Sequence, residues 1–470
     1  MSLSIAPELD ESLDWLGAAP LRLVGLRGHP VVLLFWNAGS AHCHNALQAM
    51  AGLQQRHRGK VLVLAIHVPK FDAERDPAVA RDLLAAQGVR LLAAHDRDWV
   101  AWQHYEIGAW PTAVLIDPAG AIHQRFVGDR AIDAVGASLE ALLDTHYGQS
   151  ASVPEPARNA VEPPGLQIAG LAASASRLYV ADSARHRLLE CSHDGRILRR
   201  IGSGQRDFVD GLADAAGFHD PRGLVLLQDR LYVADAGNHA VRRVDVRTGE
   251  VDTLVGHGRP GDPVAGRLTL PGDSPLDRPW ALAAQDSTLY VGNAAGQQWW
   301  AFELGRRELR HLSGSGLLGH ADGDAAQAEY AQPAAMVVQG GNGWVLDAGS
   351  SSLRQIALAD GSVRTLLGKG LFEFGQKDGG SRQALLHNPT GLAPTTDGQG
   401  LWIADTGNGV LRRYAFRQNS LSTPTIAPGL RRPGALAAWQ QWLWIADAGS
   451  RALWRLDTGN GELQRLPLED

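Results

Sequence analysis

A short strand-and-turn motif recurs six times in the second part of this sequence. It reads Leu-Tyr-Val-Ala-Asp from Leu231, and each copy is an aromatic and β-branched stretch that runs into a turn of small residues. Each copy ends at an acidic or amide residue, and these are Asp182, Asp235, Asn293, Asp347, Asp405 and Asp447, at intervals of 53, 58, 54, 58 and 42 residues. Because one such sheet cannot bury both its faces without neighbours, a repeat of this length predicts a β-propeller.

The residues around each motif supply the other strands of a blade. A proline stands 14 residues before four of the motif ends and 16 before Asp405, and Ile168 takes its place in the first repeat. A strand of Gly, Ala, Leu and Val follows this position, as suits the crowded centre of a propeller. Two alternating strands follow the motif, so six repeats of four strands predict an all-β, six-bladed propeller over residues 166–470.

Residues 1–147 have a different pattern, in which strands alternate with helices. Strands are predicted at 30–36, 60–68, 112–117 and 122–127, and helices at 43–55, 77–87, 99–105 and 132–146. This order predicts an α/β domain with a partly parallel sheet. Residues 148–165 contain four prolines and no apolar periodicity, which predicts a semi-rigid linker between the two domains.

Two segments of the first domain resemble thioredoxin-like proteins. Phe35-Trp-Asn-Ala-Gly-Ser-Ala-His-Cys43 looks like the active-site stretch of that fold, and Trp110-Pro111-Thr112 looks like its cis-proline segment. With His67-Val-Pro-Lys-Phe71 and the repeats, the chain resembles a subgroup that joins a thioredoxin-like domain to NHL repeats. The resemblance covers essentially the whole chain, and we expect a bacterial-type relative without a segment beyond the propeller.

The active-site stretch departs from its redox-active relatives at one position. In those relatives the motif is Cys-x-x-Cys, whose first thiolate attacks and whose second resolves the mixed disulfide. Here Ser40 occupies the first position and Cys43 the second. A serine hydroxyl does not ionise near neutral pH without an adjacent base, so we expect no dithiol–disulfide turnover.

Two interpretations of Cys43 remain open. It is either a small buried hydrophobic residue, or a single reactive thiol whose pKa is lowered by the helix N-terminus and by His42 or His44. On either interpretation the resemblance implies a cis bond at Pro111, and Trp36, Trp110, Pro111 and Thr112 would then line a groove for an extended peptide. His67 and His95 lie at no metal-ligand spacing and are interpreted as structural, so neither a metal nor a cofactor is expected.

Three long connections in the propeller share an Asp-Gly start. They begin at Asp210-Gly211, Asp322-Gly323 and Asp378-Gly379 and resemble insertions of the same NHL subgroup. Loops of this kind gather on one face of a propeller, which is its usual binding surface. The six motif-ending residues are instead interpreted as structural, because their repetition favours turn and inter-strand hydrogen bonds over metal ligation.

Charge and hydropathy narrow the classes of function. The net charge is −6 and the pI about 6.3, which argues against a nucleic-acid partner. The pairs Arg242-Arg243 and Arg412-Arg413 lie on strands, where neighbours point to opposite faces and form no single basic patch. No stretch is long and apolar enough to span a membrane, and two cysteines make no disulfide framework, so we expect a cytoplasmic protein.

The leading hypothesis is therefore a cytoplasmic binding or scaffold protein. Its thioredoxin-like domain lacks the dithiol, and its propeller contacts a protein or peptide. One alternative is an oxidoreductase that acts through Cys43 on peroxide or mixed disulfides. The second alternative is a propeller that binds nucleic acid.

Overall fold

The computed structural model describes residues 4–145, 165–262, 267–269, 274–426 and 429–468. The chain divides into two compact units, Met1–Pro164 and Gly165–Asp470. Apart from Gly165, the linker predicted at 148–165 lies outside the described residues, as do residues 146 and 147.

The first unit is built on one six-stranded mixed sheet. Its strands are β1 (Asp14–Trp15), β2 (Val31–Trp36), β3 (Leu62–His67), β4 (Leu92–His95), β5 (Thr112–Ile116) and β6 (Ile122–Val127). The order across the sheet is β1-β4-β3-β2-β5-β6, with β2, β3 and β4 parallel and the others antiparallel. The partly parallel sheet is confirmed, whereas β1 and β4 are too short to leave a periodic signal and were not predicted.

Helices cover both faces of this sheet. They are α1 (Ala41–Arg56), α2 (Pro77–Ala86), α3 (Val100–His104), α4 (Asp129–Ile132) and α5 (Val135–Thr145). The last two replace the single helix predicted from residue 132. Strands β2 and β3 have no exposed side chain because alternate residues enter two separate apolar clusters, one on each face.

The described residues of the second unit form six antiparallel sheets, which are the blades of a propeller. Blade 1 consists of β7 (Ile168–Ala173), β8 (Leu178–Asp182), β9 (Arg187–Cys191) and β10 (Ile197–Ile201). Blade 2 consists of β11 (Pro221–Leu227), β12 (Arg230–Asp235), β13 (Ala240–Asp245) and β14 (Val251–Val255). Blade 3 consists of β15 (Arg267–Thr269), β16 (Pro279–Gln285), β17 (Thr288–Asn293), β18 (Gln298–Glu303) and β19 (Glu308–Ser313). Blade 4 consists of β20 (Pro333–Gln339), β21 (Asn342–Asp347), β22 (Ser352–Ala357) and β23 (Val363–Leu367). Blade 5 consists of β24 (Gly379–Gly380), β25 (Gly391–Pro394), β26 (Gly400–Asp405), β27 (Val410–Ala415) and β28 (Ser420–Ser422). Blade 6 consists of β29 (Pro433–Trp439), β30 (Trp442–Asp447), β31 (Ala452–Asp457) and β32 (Leu463–Leu466).

The six-bladed propeller is confirmed, with one difference in strand number. Blades 3 and 5 have a fifth, outermost strand, β15 and β24, which comes from the connection that precedes each blade. The innermost strands approach each other closely, which explains their small residues. A Cβ atom on Gly170 would lie 1.8 Å from the carbonyl oxygen of Arg222, and one on Gly223 would lie 2.6 Å from that of Trp280.

Each blade, including the first and the last, is built from one continuous stretch of chain. Residues 168–173 form the innermost strand of blade 1 rather than adding to blade 6. The ring closes by packing of blade 6 on blade 1, where Trp444 enters the apolar cluster of blade 1. The carbonyl oxygen of His193 accepts hydrogen bonds from Trp444 Nε1 at 3.2 Å and Arg455 Nη1 at 3.3 Å across this junction.

Among the described residues, no helix combines the length and the apolar character needed to cross a bilayer.

Candidate functional site

The active-site stretch lies where β2 ends and α1 begins. Ser40 is the N-cap of α1, and its hydroxyl oxygen accepts a hydrogen bond from the backbone N–H of Cys43 at 3.4 Å. Serine is among the preferred N-cap residues because its oxygen satisfies a backbone donor that the helix leaves free. The residue in the first motif position therefore supports the helix.

The Cys43 thiol is fully buried. Its side chain has no exposed surface, and its sulfur accepts a hydrogen bond from the backbone N–H of Asn37 at 3.2 Å. Burial raises the pKa of Cys43 to about 12, because a thiolate is poorly stabilised away from water. A single reactive thiol would need an exposed side chain and a lowered pKa, and neither the burial nor the pKa of Cys43 favours that hypothesis.

His42 and His44, which flank Cys43, make polar contacts with groups other than the Cys43 thiol. His42 Nδ1 lies 2.7 Å from a carboxylate oxygen of Asp129, and His44 Nε2 donates to the carbonyl oxygen of Ala38 at 2.9 Å. The Asp129 carboxylate itself raises the pKa of Cys43 further, because it repels a thiolate. Neither His42 nor His44 is among the main influences on the pKa of Cys43.

Glu74 holds the loop that covers Cys43, and the sequence did not indicate this role. Its carboxylate accepts hydrogen bonds from Asn37 Nδ2 at 2.7 Å and from the backbone N–H of Gly39 at 3.1 Å. It also accepts from the backbone N–H groups of Lys70 at 2.7 Å and Phe71 at 3.1 Å. Glu74 is 5% exposed, so one buried carboxylate joins the two loops.

The expected groove residues divide into one half-buried position and three core positions. The peptide bond between Trp110 and Pro111 is cis, as the resemblance implied. Trp110 is half-buried, whereas Pro111 is buried and Thr112 donates its hydroxyl to the carbonyl oxygen of Ala109 at 2.8 Å. Trp36 has no exposed surface and was wrongly placed in the groove, because its position on β2 turns it into the core.

His67 and His95 form a buried pair on the neighbouring strands β3 and β4. Their Nδ1 atoms lie 2.8 Å apart, because the two residues are register partners in a parallel ladder. His95 Nε2 donates to the carbonyl oxygen of Arg75 at 3.0 Å. Their structural interpretation stands as a prediction, but the sequence did not indicate that they bond to each other.

The six motif-ending residues of the propeller are buried and bind the backbone of their own blades. Each accepts a hydrogen bond from a backbone N–H that lies just before the innermost strand. The donors to Asp182, Asp235, Asn293, Asp347, Asp405 and Asp447 include the N–H groups of Gln167, His219, Asp277, Ala331, His387 and Arg431. These bonds fasten the end of the second strand to the start of the first.

Three of these carboxylates also anchor the long insertions, through a buried arginine seven residues further along the chain. In blade 2, Arg242 bonds Asp235 at 2.8 Å and Asp210 of the insertion at 2.7 Å. Arg412 joins Asp405 and Asp378 in the same way. In blade 4, Arg354 bonds Asp322 at 2.9 Å and lies farther from Asp347, at 3.9 Å. These three arginines have no exposed surface, so they cannot contribute to a basic patch.

Among the described residues, no group of three or more His, Cys, Asp or Glu side chains is arranged to hold a metal ion.

Comparisons with known proteins agree with this architecture. No family model matches the chain. NHL repeat-containing protein 2 from Gallus gallus is 26% identical over 518 residues, which cover 98% of this chain and 70% of that protein. Protein SUPPRESSOR OF QUENCHING 1, chloroplastic, from Arabidopsis thaliana is 28% identical over 437 residues, 87% of this chain. The chain spans only 41% of that protein.

The N-terminal region has a separate relative. Protein DipZ from Mycobacterium bovis is 30% identical over 130 residues, which cover 27% of this chain and 19% of that protein. The chain thus consists of a thioredoxin-like domain and a six-bladed NHL-repeat propeller, and it is similar along nearly its whole length to NHL repeat-containing protein 2.

Proposed function

We propose that this chain is a protein-binding scaffold whose thioredoxin-like domain does not exchange disulfides. The proposal rests on the environment of the two residues that stand in the Cys-x-x-Cys positions. Ser40 uses its hydroxyl as a helix cap, and Cys43 has no exposed surface. Neither residue provides the accessible thiolate that thiol–disulfide exchange requires.

The propeller provides the interaction surface in this proposal. Its insertions at 202–220, 314–332 and 368–390 each connect the fourth strand of one blade, counted from the axis, to the innermost strand of the next blade, so all three lie on one face. Seven large apolar side chains are exposed among the described residues of the propeller, and five of them lie in these insertions. These five are Val209, Leu212, Leu317, Leu318 and Phe372. Exposed apolar groups on anchored loops favour contact with a protein partner.

The proposal includes a cytoplasmic location. Cys43 and Cys191 are both free, and a chain of this length without disulfides is typical of reducing compartments.

The redox part of the proposal is tested by insulin reduction with dithiothreitol as electron donor. We expect the wild-type chain to leave insulin disulfides intact, with an ordinary thioredoxin as the positive control. The Ser40→Cys variant restores the Cys-x-x-Cys pattern, so it should gain activity if Ser40 is what prevents turnover. Reduction by the wild-type chain at a rate comparable to thioredoxin would refute this part.

The binding part is tested by quantitative affinity capture with a surface variant. Leu212→Ser, Leu317→Ser and Phe372→Ser together remove apolar surface from all three insertions. Leu198→Ser is the matched control, because Leu198 is also exposed but lies on the outermost strand of blade 1. We expect at least one protein to be retained by the wild type and the control and lost from the triple variant. Identical sets of captured proteins would contradict the proposal.

A further inference from the structure

Twelve residues surround the start of the innermost strands, nearest the propeller axis, on the insertion-bearing face. In five blades these residues stand directly before and directly after the first residue of the innermost strand. In blade 5 they stand on either side of Pro389, which shortly precedes that strand. We call them the channel mouth. The six that precede are Gln167, Asp220, Arg278, Gln332, Asn388 and Arg432, and the six that follow are Ala169, Arg222, Trp280, Ala334, Thr390 and Gly434. Three arginines face a single carboxylate in this set, so the mouth is positively charged although the chain is acidic.

Two of the arginines already hold a carboxylate. Arg222 Nε lies 3.1 Å from one oxygen of Asp220, and Arg278 Nη1 lies 3.2 Å from the other. Arg278 is 2% exposed, and Asp220 is equally buried. Two guanidinium groups on one carboxylate leave an excess positive charge, which is costly in a buried site unless an anion balances it.

The surrounding residues carry charges of both signs, because the Asp277 carboxylate acts on the guanidinium of Arg278 while Arg206 adds a positive charge. Arg206, from the insertion before blade 2, is close enough to act electrostatically on both Asp220 and His219. His219 is 4% exposed, and its Nε2 atom has no hydrogen-bond partner among the described residues. Burial and the nearby guanidinium groups of Arg206 and Arg278 hold the pKa of His219 well below its usual value, so this imidazole is neutral.

The backbone fixes the position of these groups. Asp220 and Arg278 have φ of 53° and 49°, in the left-handed region that such residues rarely adopt. Their N–H groups donate to His186 Nδ1 at 3.2 Å and His239 Nδ1 at 3.1 Å, each on the preceding blade. The guanidinium of Arg222 also stacks on the ring of Trp280 at 3.9 Å. The site is therefore held across three blades before any ligand arrives.

Arg432 extends the charge to the other side of blade 1. It occupies the same position in blade 6 as Arg278 does in blade 3. Its Nε atom is buried and has no hydrogen-bond partner among the described residues. The equivalent residues of the intervening blade 1, Gln167 and Ala169, are uncharged, so they place no carboxylate between Arg222 and Arg432.

We propose that the channel mouth binds a carboxylate group through Arg222, Arg278 and Arg432. The planar fork of an arginine matches a carboxylate, and two of these residues already hold one in Asp220. The positive charge is confined to the centre of one face, which suits a single acidic group better than the long backbone of a nucleic acid. The proposal is independent of the scaffold role, because small acids and peptides both carry the carboxylate group that the arginines would bind.

The test is fluorescence anisotropy of a labelled tetraglutamate peptide with the full chain at low salt. The variant Arg222→Gln/Arg432→Gln removes two charges from the mouth. Arg306→Gln is the control, because Arg306 is exposed in the turn between β18 and β19, on the opposite face. We expect the double variant to weaken peptide binding at least tenfold, since hydrogen bonds to charged groups are strong. The control should remain within twofold of the wild type.

Citrate, added as a competitor, distinguishes the two sources of the carboxylate. Displacement of the peptide by citrate indicates that a free acid is sufficient, whereas binding of the peptide alone indicates an acidic segment of a partner. If the double variant does not fold, the single variant Arg432→Gln replaces it, because it keeps the Asp220 contacts intact. We expect this single variant to lose affinity for the peptide as well. The proposal is overturned if neither probe binds, if Arg306→Gln weakens binding equally, or if a single-stranded RNA binds more tightly through the same arginines.

Discussion

The Nδ1 atoms of His67 and His95 lie 2.8 Å apart in the core of the thioredoxin-like domain. Because His95 Nε2 donates to the carbonyl oxygen of Arg75, a neutral His95 accepts at Nδ1 and His67 donates from Nδ1. His67 Nε2 is then an unprotonated atom, buried and without a hydrogen-bond partner among the described residues. Protonation of both rings would place two positive charges side by side.

This pair should make the domain sensitive to acid. Burial lowers the pKa of both residues, for His67 well below the usual histidine value. The unfolded chain takes up protons below a pH of about 6.5 while the native pair does not, so stability present above that pH is lost as the pH falls. Each such histidine contributes a slope of about 1.4 kcal/mol per pH unit.

We therefore expect His67→Leu to cost more stability at pH 7.5 than at pH 5. The measurement is hydrogen exchange of the β3 and β4 amides, corrected for the intrinsic effect of pH. His123→Leu is the control, because His123 is exposed on β6. A loss of stability that is equal at both pH values would show that the pair does not couple protonation to folding.

The buried Cys43 should resist alkylation in the native protein. With a pKa of about 12 and no exposed surface, the thiol offers iodoacetamide neither a thiolate nor access. We expect no modification of Cys43 in a Cys191→Ala background up to a pH of about 9, and rapid modification after unfolding, as followed by mass spectrometry. Fast native labelling with a midpoint below about 7 would instead support the single-thiol alternative.

Glu74 should control access to that thiol. Its carboxylate joins Asn37 and Gly39, in the loop over Cys43, to the backbone N–H groups of Lys70 and Phe71. Glu74→Ala removes this link, although Asn37 and Gly39 keep other acceptors in Val68 and in the Asn37 side chain. We expect the variant to be alkylated at Cys43 faster than the wild type under native conditions. Glu140→Ala is the control, since Glu140 is exposed and lies 3.6 Å from His57. Equal labelling of the three proteins would mean that the loop does not depend on Glu74.

Arg412 and Arg413 should differ in their effect on stability although they are neighbours. Arg412 is fully buried between Asp405 and Asp378, and Arg412→Met would leave Asp405 as a buried charge without its cation, at a cost of about 3–5 kcal/mol. Arg413 forms an exposed pair with Asp397, and Arg413→Gln should cost less than about 1 kcal/mol.

The readouts are chemical denaturation and limited proteolysis. Protease cleavage within 368–390 should increase only in Arg412→Met, because Arg412 Nη2 also bonds the carbonyl oxygen of Lys377 in that insertion. Similar losses of stability in both variants would argue against the buried pair as the anchor of the insertion.

Features that depend on neighbouring residues in the chain could be predicted from the sequence. The spacing of the prolines and of the motif ends, such as Pro221 and Asp235, predicts the blades, because each blade is one continuous stretch with short turns. The buried strands β2 and β3 and the turn after each motif follow from local composition in the same way. The absence of a second thiol from the active-site stretch can also be read directly, at Ser40.

Contacts between distant segments were decided only by the tertiary structure. Glu74 reaches Asn37, and Arg242 reaches Asp210, only after a sheet or a blade has formed, and no local pattern marks these partners. The channel mouth is the clearest case, since Arg222, Arg278 and Arg432 come from three blades. Their proximity to the axis depends on closure of the ring, because only then do the innermost strands of blades 2, 3 and 6 face one channel.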